Sequence, residues 1–182
     1  MLNFVKYVYN LKISIIFVKN NKVEKMKILY CQGDFTTTKG QMMIHQVNCQ
    51  GAMNSGAAKC VRDKFPVVFD EYRKLCDTAT SDESLLGKSQ IVKINDSQYA
   101  VNMFGQLYYG YDGKKYTSYD ALDMAFKYLA DYISKHPEIK VIAFPFMFGC
   151  GRGGANWDVV LTMIKTIFKD LNITIEFWEY KA

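Results

Sequence analysis

From Met26 onward the apolar positions follow two periods in turn, and the changes of period mark out strands and helices. Lys27 to Cys31 and Gln41 to Val47 read as strands, the first ending at Gly33-Asp34 and the second running into a small-residue loop. Ala57, Ala58 and Val61 recur at helical spacing over Ala57 to Lys64; Pro66 interrupts, and Phe69, Tyr72 and Leu75 restart the helical period over Val67 to Cys76. After the polar run Asp77 to Glu83, the β-rich segments Gly87 to Ile94 and Tyr99 to Phe104 flank Asn95-Asp96-Ser97, which predicts a hairpin. Ser118 caps a helix to about Lys135, with Leu122, Ala125, Phe126, Leu129 and Tyr132 as its stripe and His136-Pro137 as its end. Lys140 to Phe144 is a continuous apolar run suited to a strand buried on both faces; a helix from about Asn156 to Leu171 and a strand over Ile173 to Glu179 complete the chain. This alternation predicts a three-layer α/β/α sandwich with a central mixed, mostly parallel sheet, and ligands beyond the strand C-termini.

Two loops rich in small residues follow strands and open helices. In the first, His45, Asn48 and Gln50 precede Gly51 and Gly56, and the helix N-terminus turns its free N–H groups back toward the loop. In the second, Phe148 to Gly154, four glycines let several backbone N–H groups converge on one anion, and a diphosphate fits that description. A single loop of this kind is equally well a plain glycine-rich turn; two of them, each between strand and helix, favour a crevice with two walls. Its lid is the stretch Gly105 to Thr117. The helix beginning near Asn156 is expected to add its dipole to the second loop. Asp34 reads either as a turn or cap aspartate or as an acceptor for an exocyclic amine such as that of adenine. His45 reads either as a satisfied core residue or, with Asn48 three positions on, as an acid/base group. The glycine spacing matches neither a Walker loop nor the dinucleotide fingerprint, so neither a kinase nor a dehydrogenase is indicated.

Charge narrows the partners. Residues 1–25 hold five lysines against Glu24, a net +4 of the chain's +5, so the remainder is nearly neutral and nucleic acid is expected to be an unlikely partner. The five cysteines include no C-x-x-C pair, which argues against a disulfide framework or a zinc site and for a reducing, cytoplasmic setting. Cys49 and Cys150 are expected to be small packing residues. Lys6, Asn10 and Lys12 break the apolar run Met1 to Phe17 too often for a spanning helix, and no small-residue cleavage site follows it. Residues 1–25 are read as an extension upstream of a start at Met26, with an added edge element or a basic membrane-surface anchor as alternatives. Residues 26–182 form the domain.

The pieces Gly33-Asp34, His45-x-Val47-Asn48-Cys49-Gln50-Gly51, Ser55-Gly56-Ala57-Ala58-Lys59, Leu85-Leu86-Gly87-Lys88, Asn102-Met103-Phe104-Gly105-Gln106 and Gly149-Cys150-Gly151-Arg152-Gly153-Gly154-Ala155-Asn156-Trp157 occur in family order. Together they resemble a macrodomain, the ADP-ribose-binding module, and within it the branch of ADP-ribose 1''-phosphate phosphatases. The resemblance implies that Asp34 binds the adenine amine with Gly33 and Phe35 beside it. Asn48 holds the distal ribose near Gln50, and the loop from Gly51 through Ser55 and Gly56 to Ala57 wraps ribose and phosphates. Phe148, Gly149, Cys150, Gly151 and Arg152 take the diphosphate. It further implies catalysis by His45 and Asp112, with Asn48, on the terminal phosphate of ADP-ribose 1''-phosphate. Removal of ADP-ribose from protein or nucleic acid, and binding without turnover, are the alternatives. The ligand is ADP-ribose or a phosphorylated or esterified derivative, no metal or cofactor is called for, and the chain is expected to be a monomer. A related branch that cleaves ADP-ribose from glutamate uses a lysine near the end of the Phe104 strand and an aspartate in the second loop; here those neighbourhoods hold Gly105 and Gly153.

Overall fold

The computed structural model describes residues 26–180, so the expectations about the N-terminal 25 residues lie outside the described part of the chain. Six strands, β1 (Met26–Gln32), β2 (Met42–Asn48), β3 (Ser89–Lys93), β4 (Tyr99–Gln106), β5 (Val141–Pro145) and β6 (Ile173–Glu179), form one sheet in the order β1-β6-β5-β2-β4-β3. Every pairing is parallel except the β3–β4 hairpin. Helices α1 (Gly56–Lys64), α2 (Pro66–Thr78), α3 (Tyr119–Lys135) and α4 (Trp157–Phe168) cover its two faces.

Strand alternation decides which helix pair each side chain meets. Met42 and Ile44 of β2 pack with Leu122, Phe126 and Ile164 under α3 and α4, whereas Met43 joins Val61 and Val68 under α1 and α2. Val47 continues that second face with Tyr72 of α2 and Phe104 of β4. The result is the three-layer α/β/α sandwich with a mixed, mostly parallel sheet that the alternating periods predict.

Three local departures have plain causes. Pro66 is the first residue of α2 as well as the end of the α1 period, because its missing N–H costs nothing in a first turn and its ring keeps Phe65 out of the helical region (φ −131°, ψ 75°). Strand β4 runs two residues beyond Phe104, and a register shift between Val47 and Asn48 places Asn48 opposite Gln106. Two amides thus stand side by side where β2 and β4 end. Finally, α4 stops at Phe168, short of Leu171.

Candidate functional site

A crevice of about 350 Å³ opens beyond the C-terminal ends of β2, β4 and β5, large enough for a small ligand. One wall is the start of α1: Ser55, Gly56, Ala57 and Ala58 line it. Ser55 makes no side-chain cap, and the first α1 backbone bond runs from Lys59 N to Ser55 O. The N–H groups ahead of it therefore precede the helical ladder and carry the positive end of the helix dipole. The opposite wall is Pro145 to Gly153, and Tyr109 to Tyr111 stand at the mouth. Met147 in that wall has φ of 55°, a left-handed conformation that costs a non-glycine residue about 1 kcal/mol or more and turns the chain sharply out of β5. Arg152 is the one ionised side chain among the described residues that line the crevice.

Asn48 shapes the first wall. Its Nδ2 donates to Ala52 O at 2.6 Å, and its Oδ1 accepts from Gln50 N at 2.9 Å and Ala52 N at 3.3 Å. Buried Tyr72 donates to Asn48 O at 2.8 Å, and burial pushes that phenol well up, so it stays a donor. Gly51 in the same turn has φ of 72°, and Arg73 packs where a Cβ would stand. The left-handed backbone is what favours glycine here, and a Cβ would in addition displace the Arg73 guanidinium.

Gln46 joins the second wall to the sheet. Its Nε2 donates to Gln106 Oε1 at 2.7 Å and to Thr117 Oγ1 at 2.9 Å, and Thr117 Oγ1 donates on to Gly149 O at 3.0 Å. The Gly153 carbonyl accepts from the N–H groups of both Tyr116 and Thr117 at 2.9 Å, tying the tyrosine loop to the glycine loop. The same network fills the space around two glycines. A Cβ on Gly105 would stand 2.7 Å from Leu122 Cδ2 and 2.8 Å from Gln46 Oε1. One on Gly153 would collide with Thr117 Oγ1 and the Gly149 carbonyl. Neither position accepts the lysine or aspartate of the glutamate-cleaving branch without rebuilding the wall. Gln46 and Gln106 were not among the sequence-derived candidates; the signal for Gln46 was its place one step from His45 on a strand where neighbours face opposite ways.

Of the expected ligand-binding residues, Asn48, Ser55, Gly56, Ala57, Phe148, Gly149, Cys150, Gly151 and Arg152 line the crevice. Asp34 lies in a second, more open hollow with Cys60, Asp63, Lys64 and Tyr180, and its Oδ1 caps a short turn through Thr36 N at 2.9 Å. Gly33 adjoins it through a bond from its N–H to Glu179 O. Phe35 is a core residue, 5% exposed against Val61 and Val68, so its ring is not offered to a ligand. Gln50 and Gly51 belong to the Asn48 turn and are outside the lining. Burial pushes the Cys150 thiol up, leaving it a protonated packing group.

The structure does not bring His45 and Asp112 together. His45 is 0% exposed on the α1/α2 face of β2, away from the crevice. Burial lowers its pKa to about 4, with the adjacent Asn102 amide pulling weakly the other way, and neither ring nitrogen makes a well-formed hydrogen bond among the described residues. Asp112 sits on the surface of the tyrosine loop, where Lys114 and Tyr116 hold its carboxyl down at about 2. It too is outside the lining. The expected dipole of the helix after the second loop is likewise displaced: Asn156 Oδ1 takes the N–H groups of Asp158 at 2.8 Å and Val159 at 3.3 Å, and α4 does not line the crevice.

No family model matches the chain. Over 58 residues, 31% of its length, it is 40% identical to the ADP-ribose 1''-phosphate phosphatase of Aspergillus fumigatus, of which the match spans 29%. Over 148 residues, 79% of its length, it is 24% identical to the DNA ADP-ribosyl glycohydrolase of Mycobacterium tuberculosis, of which the match spans 39%. The chain thus spans well under half the length of these curated relatives. Among solved structures, a Bacteroides thetaiotaomicron protein of unknown function superposes with a TM-score of 0.69 at 27% identity, covering 84% of this chain and 98% of that one. The macrodomain of Thermus aquaticus DarG superposes with a TM-score of 0.70 at 19% identity, covering 86% of this chain and 99% of that one. The mycobacterial relative, named for action on DNA, overturns the expectation that nucleic acid is an unlikely partner. No helix among the described residues is long and apolar enough to cross a membrane.

Proposed function

Taking the macrodomain fold as the premise, we propose that the chain holds an ADP-ribosyl group in this crevice and removes it from a nucleic acid or protein that carries it. The observation that carries the reading is the pairing of an uncapped α1 N-terminus with the Arg152 glycine loop across one cavity. Both present positive potential with no carboxylate in the lining, which suits a diphosphate. The hollow with Asp34 and Tyr180 lies further along α1 and offers an acceptor and an aromatic face to a base. Asn48 and Gln106 stand at the other end, where the distal ribose would lie, and the mouth beside Tyr109 and Tyr111 leaves an exit for the carrier.

In this reading the bond between ribose C1'' and the carrier's nitrogen or oxygen breaks with its electron pair leaving on the carrier. Water adds its oxygen to C1'', and its proton passes to the leaving group. Among the described residues that line the crevice there is no histidine, lysine or carboxylate, so the ligand's own diphosphate is the anion available to take that proton first. The chain's contribution is positioning and electrostatic stabilisation. Removal of the phosphate from ADP-ribose 1''-phosphate is the second reading, favoured by the fungal relative.

One assay separates them: the purified chain is incubated with an ADP-ribosylated oligonucleotide, an ADP-ribosylated peptide and ADP-ribose 1''-phosphate, and free ADP-ribose and inorganic phosphate are measured. Free ADP-ribose above the buffer blank from either macromolecule is the predicted result. Phosphate and an equal amount of ADP-ribose from ADP-ribose 1''-phosphate, with no ADP-ribose from either macromolecule, would establish the second reading, and no product from any of the three would reject both.

A further inference from the structure

The loop between β4 and α3 spends large aromatic side chains on solvent. Tyr108 is 50%, Tyr109 42% and Tyr111 63% exposed, on one short stretch beside the crevice mouth. Tyr109 and Tyr111 meet edge to face, with centroids 6.4 Å apart at 87°. The loop is not loose: the Gln106–Thr117 bridge closes its base, and Tyr116 and Thr117 bond to the Gly153 carbonyl. The cations of this end gather on it. The Arg152 guanidinium lies 4.3 Å from the Tyr111 ring centre, Lys115 Nζ lies 4.4 Å from that of Tyr119, and the Lys114 side chain is 78% exposed. Against these stands Asp112, paired with Lys114, so Lys115 and Arg152 remain without a carboxylate partner among the described residues.

We propose that this tyrosine loop, with Lys114 and Lys115, is a stacking platform for the single-stranded nucleic acid that carries the ADP-ribosyl group. The inference deepens the removal reading above and rests on it. Stacking faces interleaved with cations that track a phosphate backbone are the chemistry of single-strand binding. A duplex does not fit, because its bases are stacked on one another and offer no face to a tyrosine. A peptide is less well matched, since it is gripped by apolar pockets or an open sheet edge, and this loop presents neither. The nearly neutral charge of the domain is no obstacle, because the surplus positive charge required lies locally, next to the exit for the carrier.

The test compares equilibrium binding, on ice, of free ADP-ribose, an ADP-ribosylated mononucleotide, an ADP-ribosylated single strand of about eight nucleotides, matching the usual single-strand site size, and an ADP-ribosylated peptide. The wild-type chain is expected to bind the single strand roughly tenfold or more tighter than the mononucleotide, the gain of one or two stacked bases. Tyr109→Ala with Tyr111→Ala should bring that ratio to within about threefold of unity, as loss of both stacking faces requires. Lys114→Ala with Lys115→Ala should lower the salt slope for the strand by about one to two. Equal affinity for strand and mononucleotide in the wild-type chain, or a comparable gain for the peptide instead, would overturn the platform while leaving the ADP-ribose reading in place. No binding of free ADP-ribose would overturn both.

Discussion

Replacing Gln46 with alanine tests whether one amide holds the two walls of the crevice in register. The substitution deletes the donors to Gln106 Oε1 at 2.7 Å and Thr117 Oγ1 at 2.9 Å. Gln106 is 8% and Thr117 2% exposed, so water does not readily replace the lost partner. Gln106 keeps its own bond to Tyr108 O and Thr117 keeps its bond to Gly149 O, so one acceptor at each residue is stranded. An unsatisfied buried group costs about 1 to 3 kcal/mol, and partial relaxation at this half-open site places the sum near 2 kcal/mol. For a chain of this size that corresponds to a fall in Tm of about 4 to 8 °C. Binding should suffer as well, because the Gly149 to Gly153 backbone loses its tie to the sheet. Calorimetry of unfolding and of ADP-ribose binding on the same variant would measure both. The double change Gln46→Leu with Gln106→Leu removes donor and acceptor together and should recover part of the stability without recovering affinity. A Gln46→Ala chain with unaltered Tm and unaltered affinity would show that Gln46 does not hold the two walls together.

Three further outcomes follow from the same structure. Gly51→Ala should destabilise the chain by about 1 to 3 kcal/mol in urea unfolding, since the new Cβ meets both a left-handed backbone and the Arg73 guanidinium. His45 is held near pKa 4 in the fold against an ordinary value of 6.5. Its neutral form is therefore the folded form, and stability should be full above about pH 6.5 and fall by up to about 3 kcal/mol as pH drops toward about 4. Urea midpoints across that range should flatten in His45→Gln, whereas ADP-ribose removal should survive the change if His45 is no catalyst. Gly153→Asp, which supplies the carboxylate of the lysine-dependent branch, should lower Tm and abolish binding without adding activity, because Thr117 and the Gly149 carbonyl already fill the position.

The fold was legible because strands and helices here obey their periods closely: the strand Ile173 to Glu179 and the Ser118 cap fall where the sequence places them. Much of the crevice lining was legible too, because two glycine-rich loops each stand between a strand and a helix and the sheet brings them to the same edge. The departures from the sequence reading share a cause. Chain proximity joined His45 to Asn48, but strand pleating turns His45 under α1 and α2 while the register shift at Asn48 brings that amide to the edge beside Gln106. Asp112 is the residue that the resemblance implies in this loop, and only the fold ties it to Lys114 and Tyr116. Gln46 carried no motif, and its role depends on Gln106 and Thr117, which are 60 and 71 residues away in sequence. Overall charge is a poor guide to nucleic acid because it averages over the surface, whereas Lys114, Lys115 and Arg152 gather at one loop.

In the function proposed here, the cavity between α1 and the Arg152 loop takes the diphosphate of an ADP-ribosyl group. Calorimetric titration of the full chain with ADP-ribose tests it most directly. The expected result is one ligand per chain and an affinity roughly tenfold or more weaker in Arg152→Ala, the scale of one charge-assisted hydrogen bond. No binding by the folded wild-type chain, or binding that Arg152→Ala leaves untouched, would contradict it.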